Sequence, residues 1–102
     1  MNYQHASITK AANVYHGGKV SSRSIVTAEG ERKTLGFMLA GSYNFATDMP
    51  ERMEILAGSC RVRLDAENDW KTYQAGENFH VTGSSRFDIE VSDILDYICH
   101  FE

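Results

Sequence analysis

Glu51-Arg-Met-Glu-Ile-Leu-Ala-Gly58-Ser-Cys-Arg-Val-Arg-Leu64 changes its hydrophobic phase once. Met53 and Ile55 alternate with Glu54 and Leu56. Beyond Gly58 the apolar positions become Cys60, Val62 and Leu64, separated by Arg61 and Arg63. A period of two belongs to a half-buried strand, whose successive side chains point to opposite faces. The stretch therefore predicts two strands, with Gly58 as the turn of a hairpin between them. With Cys60, Val62 and Leu64 facing the interior, Arg61 and Arg63 face out.

The same period runs outward in both directions. Val20 opens a short strand ending near Val26; Leu35, Phe37 and Leu39 alternate with Gly36, Met38 and Ala40, and after Gly41 Tyr43 and Phe45 continue the alternation. Downstream, a polar turn at 65–69 precedes Trp70, Thr72 and Tyr73. Another at 75–78 precedes Phe79 and Val81, and residues 82–85 break the chain again. Phe87, Ile89 and Val91 alternate with Asp88 and Glu90, Ser92-Asp93 predicts a turn, and Tyr97 to Phe101 reads as a final strand. No segment carries the spacing of an amphipathic helix of ~10 residues or more. Roughly eight to ten short strands at regular intervals predict an all-β fold, an antiparallel β-barrel of jelly-roll type with a mouth suited to a small ligand.

At 102 residues, 42% hydrophobic and 24% charged, the chain has room for one core and thus a single small domain. Residues 1–13 are polar and read as an N-terminal extension, and residues 14–102 as the barrel domain. A formal net charge of −4 argues against binding to a phosphate backbone, so nucleic acid is not an expected partner. No apolar run approaches the ~18 to 20 residues that span a bilayer, and the opening stretch lacks a signal-peptide core, so no membrane partner is expected and the expected location is cytoplasmic. Cys60 and Cys99 fit neither a disulfide framework nor a zinc-ligand pattern and are expected to be reduced, buried thiols.

Six residues separate Glu51 from Gly58, and an aromatic strand precedes them; this spacing resembles the first motif of the cupins. In that motif two histidines, the glutamate and the glycine frame a metal site inside the barrel, so the resemblance implies a cupin-type jelly roll. Here the two histidine positions fall on Phe45 and Thr47. The second motif resembles Gln74-Ala-Gly76-Glu-Asn-Phe79, where Phe79 stands at the metal histidine and strand parity turns His80 to the opposite face. A metal centre needs several ligands converging at bonding distance, and only Glu51 is left, so neither a metal nor another cofactor is expected. His5, His16, His80 and His100 show no spacing of a cluster.

Further residues narrow the resemblance: Gly18-Lys-Val20, Arg32, Gly36-x-Met38, Gly41-x-Tyr43-x-Phe45, Pro50-Glu51-x-Met53 and Gly58, then Trp70-x-x-Tyr73-x-x-Gly76-x-x-Phe79-x-Val81, Ser85-x-Phe87 and Tyr97-x-Cys99. Together they resemble a family of very small cupins, the pyrimidine/purine nucleoside phosphorylases. Thr82 stands where a proline is usual, which loosens the expectation for that loop. The resemblance implies phosphorolysis without metal: a purine or pyrimidine nucleoside plus inorganic phosphate gives free base and pentose 1-phosphate. It also implies a homodimer.

Such a reaction builds positive charge on the sugar and negative charge on the departing base, so the site needs an anion near C1′. Glu51, at the position of the cupin pocket carboxylate, is the catalytic candidate. Arg32 is the phosphate candidate, because a guanidinium offers paired donors to an oxyanion. Tyr43, Phe45, Phe79 and Tyr97 offer flat surfaces on which any base stacks, and Ser85 offers a hydroxyl. The competing readings are a non-enzymatic ligand-binding cupin, which the same aromatic pocket and lone carboxylate would serve, and a metal-dependent cupin oxygenase or isomerase.

Overall fold

The computed structural model describes residues 1–65 and 67–102. Eight strands form one antiparallel sheet: β1 (Ser7–Ile8), β2 (Asn13–Tyr15), β3 (Val20–Val26), β4 (Arg32–Ala46), β5 (Glu51–Leu64), β6 (Lys71–Gln74), β7 (Asn78–Val81) and β8 (Arg86–Phe101). Among the described residues, helix is confined to a 3-10 turn at His16–Gly18. The pairing order is β1-β3-β4-β8-β5-β6, with β2 also on β3 and β7 also on β5. The all-β antiparallel expectation holds. Among the described residues no ladder joins the two ends of this order, so their hydrogen bonding does not close a barrel. The end strands β1 and β6 have two and four residues, too little edge to pair around a full circumference.

The sixteen-residue β8 occupies the centre, paired along one edge with β4 and along the other with β5. Its odd-numbered residues Phe87, Ile89, Val91, Leu95, Tyr97 and Cys99 are buried, and Val20, Met38, Met53, Ile55, Cys60 and Val62 pack against them. That wall of apolar side chains is the interior of the curved sheet.

Two details differ from the expectations, and a third sets which side of β4 faces the core. The predicted hairpin at Gly58 is a single fourteen-residue strand, whose phase change is absorbed by irregularities at Ile55/Ala57 and Gly58/Cys60 along its pairing with β8. Gly58 has φ +87°, and a Cβ there would collide with the Ile94 carbonyl oxygen. A bulge and a turn both shift a period-two pattern by one, and both favour glycine. The predicted turn at Ser92-Asp93 likewise lies within continuous strand: neither residue is in register with β4 or β5, but the ladders hold β8 at Val91 before them and at Ile94 and Leu95 after them. Third, Leu35, Phe37 and Leu39 face outward, 40%, 40% and 46% exposed, while Gly36 and Met38 face in. Gly36 pairs with Tyr97, and the Tyr97 ring lies where a Cβ on Gly36 would be. The expected polar turn at 65–69 includes residue 66, which lies outside the described residues.

As the strand parity predicts, Arg61 and Arg63 point out, each on a carboxylate of β8: Arg61 on Glu90 and Arg63 on Asp88. Trp70 lies against both guanidinium groups, 4.9 and 5.0 Å from its ring centre. Residues 7–13, within the N-terminal extension, are stitched to β3. Ser7 pairs with Val26 and Ile8 with Ile25, Thr9 N–H donates to the Ser24 carbonyl at 2.9 Å, and the Asn13 amide donates to Ser22 Oγ and Ser24 Oγ at 3.3 and 3.0 Å. On the outer face, His100 is buried between Lys33 Nζ, 2.7 Å from Nδ1, and Glu54 Oε1, 2.8 Å from Nε2.

Candidate functional site

A cavity of about 170 Å³ opens on the concave side of the sheet between β3, β4, β5 and β8, closed on one side by Tyr15 of β2. Its aromatic and apolar lining comes from Phe45, Phe87, Tyr97 and Phe101 with Met38 and Met53; its polar groups are Ser22, Thr34, Glu51, Cys99 and the hydroxyls of Tyr15 and Tyr97. Glu51 enters because it begins β5 in phase with Met53 and Ile55, the buried side of that strand. Tyr97 and Cys99 enter as consecutive inward positions of β8.

The carboxylate is half-buried and in contact with the floor. Cys99 S–H donates a hydrogen bond to Glu51, and the Thr34 hydroxyl in turn bonds the Cys99 sulfur. Burial raises the Glu51 carboxyl above its ordinary range; the Cys99 hydrogen bond opposes that rise, and the charge of Asp48 adds to it. Burial likewise pushes the Tyr97 hydroxyl and the Cys99 thiol up, so both remain protonated donors at neutral pH. Cys60, buried elsewhere in the core, has its thiol pushed up to about 11 by the same cause.

Of the residues expected at the site, Glu51, Phe45 and Tyr97 line this cavity. Arg32 does not. It borders an adjoining cavity of about 370 Å³ together with Asn13, Ser24 and Lys33, and that cavity shares Tyr15, Thr34 and Phe101 with the first. The Arg32 guanidinium lies 5.4 Å over the Phe101 ring, on the wall between the two. Tyr43 is buried beside the site, and its hydroxyl is committed to the Leu39 carbonyl at 2.7 Å, bracing the irregularity between Leu39 and Gly41. Phe79 is core, packed on Tyr73 and Phe87 at 5.0 and 5.8 Å between ring centres. Ser85 sits in a backbone clamp: its N–H donates to Thr47 Oγ1 at 3.1 Å and its carbonyl accepts from Thr47 N–H at 2.9 Å.

Sequence reasoning missed Tyr15, Thr34, Cys99 and Phe101 as cavity residues and His16 beside them. Thr34 reaches the cavity by pairing with Cys99, and Tyr15 by pairing with Val20, and such registers are not written in any local pattern. The only local signal was Tyr97-x-Cys99, where period two puts both on one face. His16, at φ 51° and followed by Gly17 and Gly18 also at positive φ, lays its ring 4.9 Å from Tyr43 and 5.2 Å from Phe45 at the rim. Among the described residues, no three His, Cys, Asp or Glu side chains converge as metal ligands. Thr47 instead donates its hydroxyl to the Thr82 carbonyl at 2.7 Å.

Comparison with known proteins gives a consistent relationship. A family model described as pyrimidine/purine nucleoside phosphorylase matches residues 10–101. A protein of Paraburkholderia xenovorans with that name is 54% identical over 99 residues, which span 97% of this chain and 93% of the relative. The crystal structure of a protein of unknown function from Acinetobacter sp. ADP1 superposes with a TM-score of 0.96 at 40% identity, covering 99% of this chain and 98% of the other. The Cnp3 cupin domain of Schizosaccharomyces pombe shares the fold at a TM-score of 0.63 and 16% identity, covering 88% of this chain and 69% of that domain.

Proposed function

The chain belongs to the pyrimidine/purine nucleoside phosphorylase family, and from that premise we propose that it converts purine and pyrimidine nucleosides plus inorganic phosphate to free base and pentose 1-phosphate, without a metal or other cofactor. A phosphate oxygen forms a bond to C1′ while the C1′–N bond breaks, and the base leaves with the electron pair and takes up a proton. The supporting observation is the half-buried Glu51 carboxylate among aromatic rings in one cavity, adjoining a second cavity bordered by Arg32. Nucleoside occupies the first cavity, with its base against Phe45 and Tyr97. Glu51 holds ribose hydroxyls or stabilises the cationic sugar from below. Phosphate enters beside Arg32 and meets the sugar over the shared wall.

Stacking is indifferent to hydrogen-bonding edges, which favours a broad range of bases. Phe45, Thr47 and Phe79, at the ligand positions of metal-binding cupins, favour chemistry carried by side chains alone. Tyr43, Phe79 and Ser85 act on substrate only indirectly in this reading, by holding the rim and the core behind it. The molecule works in the cytoplasm as a cupin-type jelly roll left partly open, with residues 14–102 as the domain and 1–13 as an extension laid on β3. No described helix is long and apolar enough to cross a membrane.

Purified protein is expected to release uracil from uridine, or hypoxanthine from inosine, only when phosphate is present, with pentose 1-phosphate formed in equal amount. Binding of nucleoside with no phosphate-dependent release would favour the ligand-binding alternative. Activity lost to a chelator and restored by metal would overturn the metal-free part of the reading.

The homodimer is assigned to the outer face of β4. Leu35, Phe37 and Leu39 stand there in a row, all at least 40% exposed, and the half-buried Ile94 of β8 is paired with Leu39. A second copy of the chain would cover these side chains. Light scattering is expected to give twice 11.5 kDa for the native chain, and Phe37→Glu is expected to weaken the dimer by about tenfold or more. A native protein that runs as a monomer rules the assignment out.

A further inference from the structure

The floor of the nucleoside cavity contains a row of polar side chains that crosses three adjacent strands. Thr34 on β4 is paired directly with Cys99 on β8, and Cys99 is paired with Met53 on β5, one inward position away from Glu51. All three polar residues, Thr34, Cys99 and Glu51, line the same cavity. Cys99 is the hydrogen-bonding neighbour of the Glu51 carboxylate on one side and of the Thr34 hydroxyl on the other. A thiol offers one proton, so the direction of the row is fixed by its ends: threonine supplies a donor and an ionised glutamate can only accept.

We propose that Cys99, backed by Thr34, is the positioning residue of the active site: it anchors the Glu51 carboxylate on the cavity floor and keeps it aimed at the sugar. The assignment rests on the phosphorolysis reading above. Its reason is the burial of Glu51. A carboxylate in an apolar cavity tends to take up a proton, and a protonated Glu51 can neither balance a cationic sugar nor accept from two ribose hydroxyls. A donor on the cavity floor counters that tendency while leaving the side of the carboxylate facing the sugar free. Thiol is a weak donor, and Thr34 strengthens it by polarising the sulfur from behind. Cys99 does not act as a nucleophile here. Burial keeps its thiol protonated, and the adjacent negative charge of Glu51 has the same effect.

The test is the titration of Glu51 itself alongside the pH profile of turnover. In Cys99→Ala the acid limb of kcat/KM for uridine phosphorolysis is expected to move up by about half a pH unit or more, with kcat reduced roughly tenfold and KM changed far less. Cys99→Ser restores a hydroxyl donor at the same place and is expected to return the limb to its native position or below it. Thr34→Val is expected to move the limb in the same direction as Cys99→Ala, by less. Carbon-13 NMR of glutamate-labelled protein follows the Glu51 carboxyl directly and needs no turnover. An unchanged Glu51 titration in folded Cys99→Ala overturns the positioning role whatever the enzyme does. A shifted titration in a protein that shows no phosphorolysis leaves the role standing and sinks the reaction instead.

Discussion

Glu51→Gln is expected to lower phosphorolytic turnover by about 10²- to 10³-fold, the scale seen when a preorganised electrostatic group is removed from a buried site. Glutamine is close in shape and its carbonyl still accepts from Cys99, so the cavity keeps its form while the charge under the sugar is gone. KM should change little if Glu51 acts chiefly on the cationic transition state, and should rise if its main partners are the ribose hydroxyls of the ground state. Thermal denaturation separates a catalytic effect from a folding defect. Folding raises the Glu51 pKa, so the native state binds that proton more tightly than the unfolded chain. Its contribution to stability is then fully present below the ordinary value of 4.5 and is lost as pH rises through the folded value. At pH 7 the native protein carries a charge that burial disfavours, and the glutamine variant does not. Glu51→Gln should therefore melt no lower than the native protein at pH 7. At pH 4 any advantage should shrink. A variant that melts well below the native protein at pH 7, or one that turns over at the native rate, contradicts the role given to Glu51.

Gly58→Ala is expected to be the most damaging small substitution in the sheet. Two costs coincide: a φ of +87° that a Cβ disfavours, and a collision between that Cβ and the Ile94 carbonyl oxygen. The obstructing atom is backbone of the central strand and cannot rotate away. A loss of about 3 kcal/mol follows, lowering Tm by about 12 to 24 °C for a chain of this size. Gly76→Ala is the control. Its φ is +90°, nearly the same, but no atom lies within 4 Å of its added Cβ. If both variants melt alike, the contact with β8 carries none of the cost and the bulge is more pliable than its packing implies.

The strands themselves were legible in the sequence because burial of one face writes itself as alternation. Arg61 and Arg63 show the same logic at the surface, each meeting a carboxylate of β8 on the outer side. What alternation does not encode is how the chain passes from one phase to the next. Gly58 suits a hairpin turn and a bulge equally, and the choice was made by β8, which pairs with residues on both sides of it. Alternation also fails where both faces carry apolar side chains. Leu35, Phe37 and Leu39 are the more hydrophobic set, yet the inward set is Gly36 and Met38, because a cross-strand tyrosine fills the space over Gly36.

The site was legible to a similar depth. Glu51, Phe45 and Tyr97 follow from motif spacing and strand phase, and they share a cavity. Tyr43 and Phe79 carry the right chemistry on the right strands, but one spends its hydroxyl on a backbone carbonyl and the other is enclosed by rings. Thr34, Tyr15 and Phe101 were out of reach because their roles arise from registers between distant strands. No single-chain pattern distinguishes a threonine that backs a cysteine from one that merely suits a strand.

Each bulge works as a frame shift in side-chain direction. In β4 the cavity-side residues are even-numbered through Met38 and odd-numbered from Tyr43; in β5 they are odd-numbered through Ile55 and even-numbered from Cys60. The two frames meet around Ala40 in one strand and around Gly58 in the other. Deleting one residue near Ala40 would therefore join the two frames into one uninterrupted alternation, with Tyr43, Phe45 and Thr47 still on the cavity side and the joint itself gone. Deleting two, in a strand left without the joint, would turn Ser42, Asn44 and Ala46 inward in their place. Descendants of this chain can thus lose a single residue here more readily than a pair.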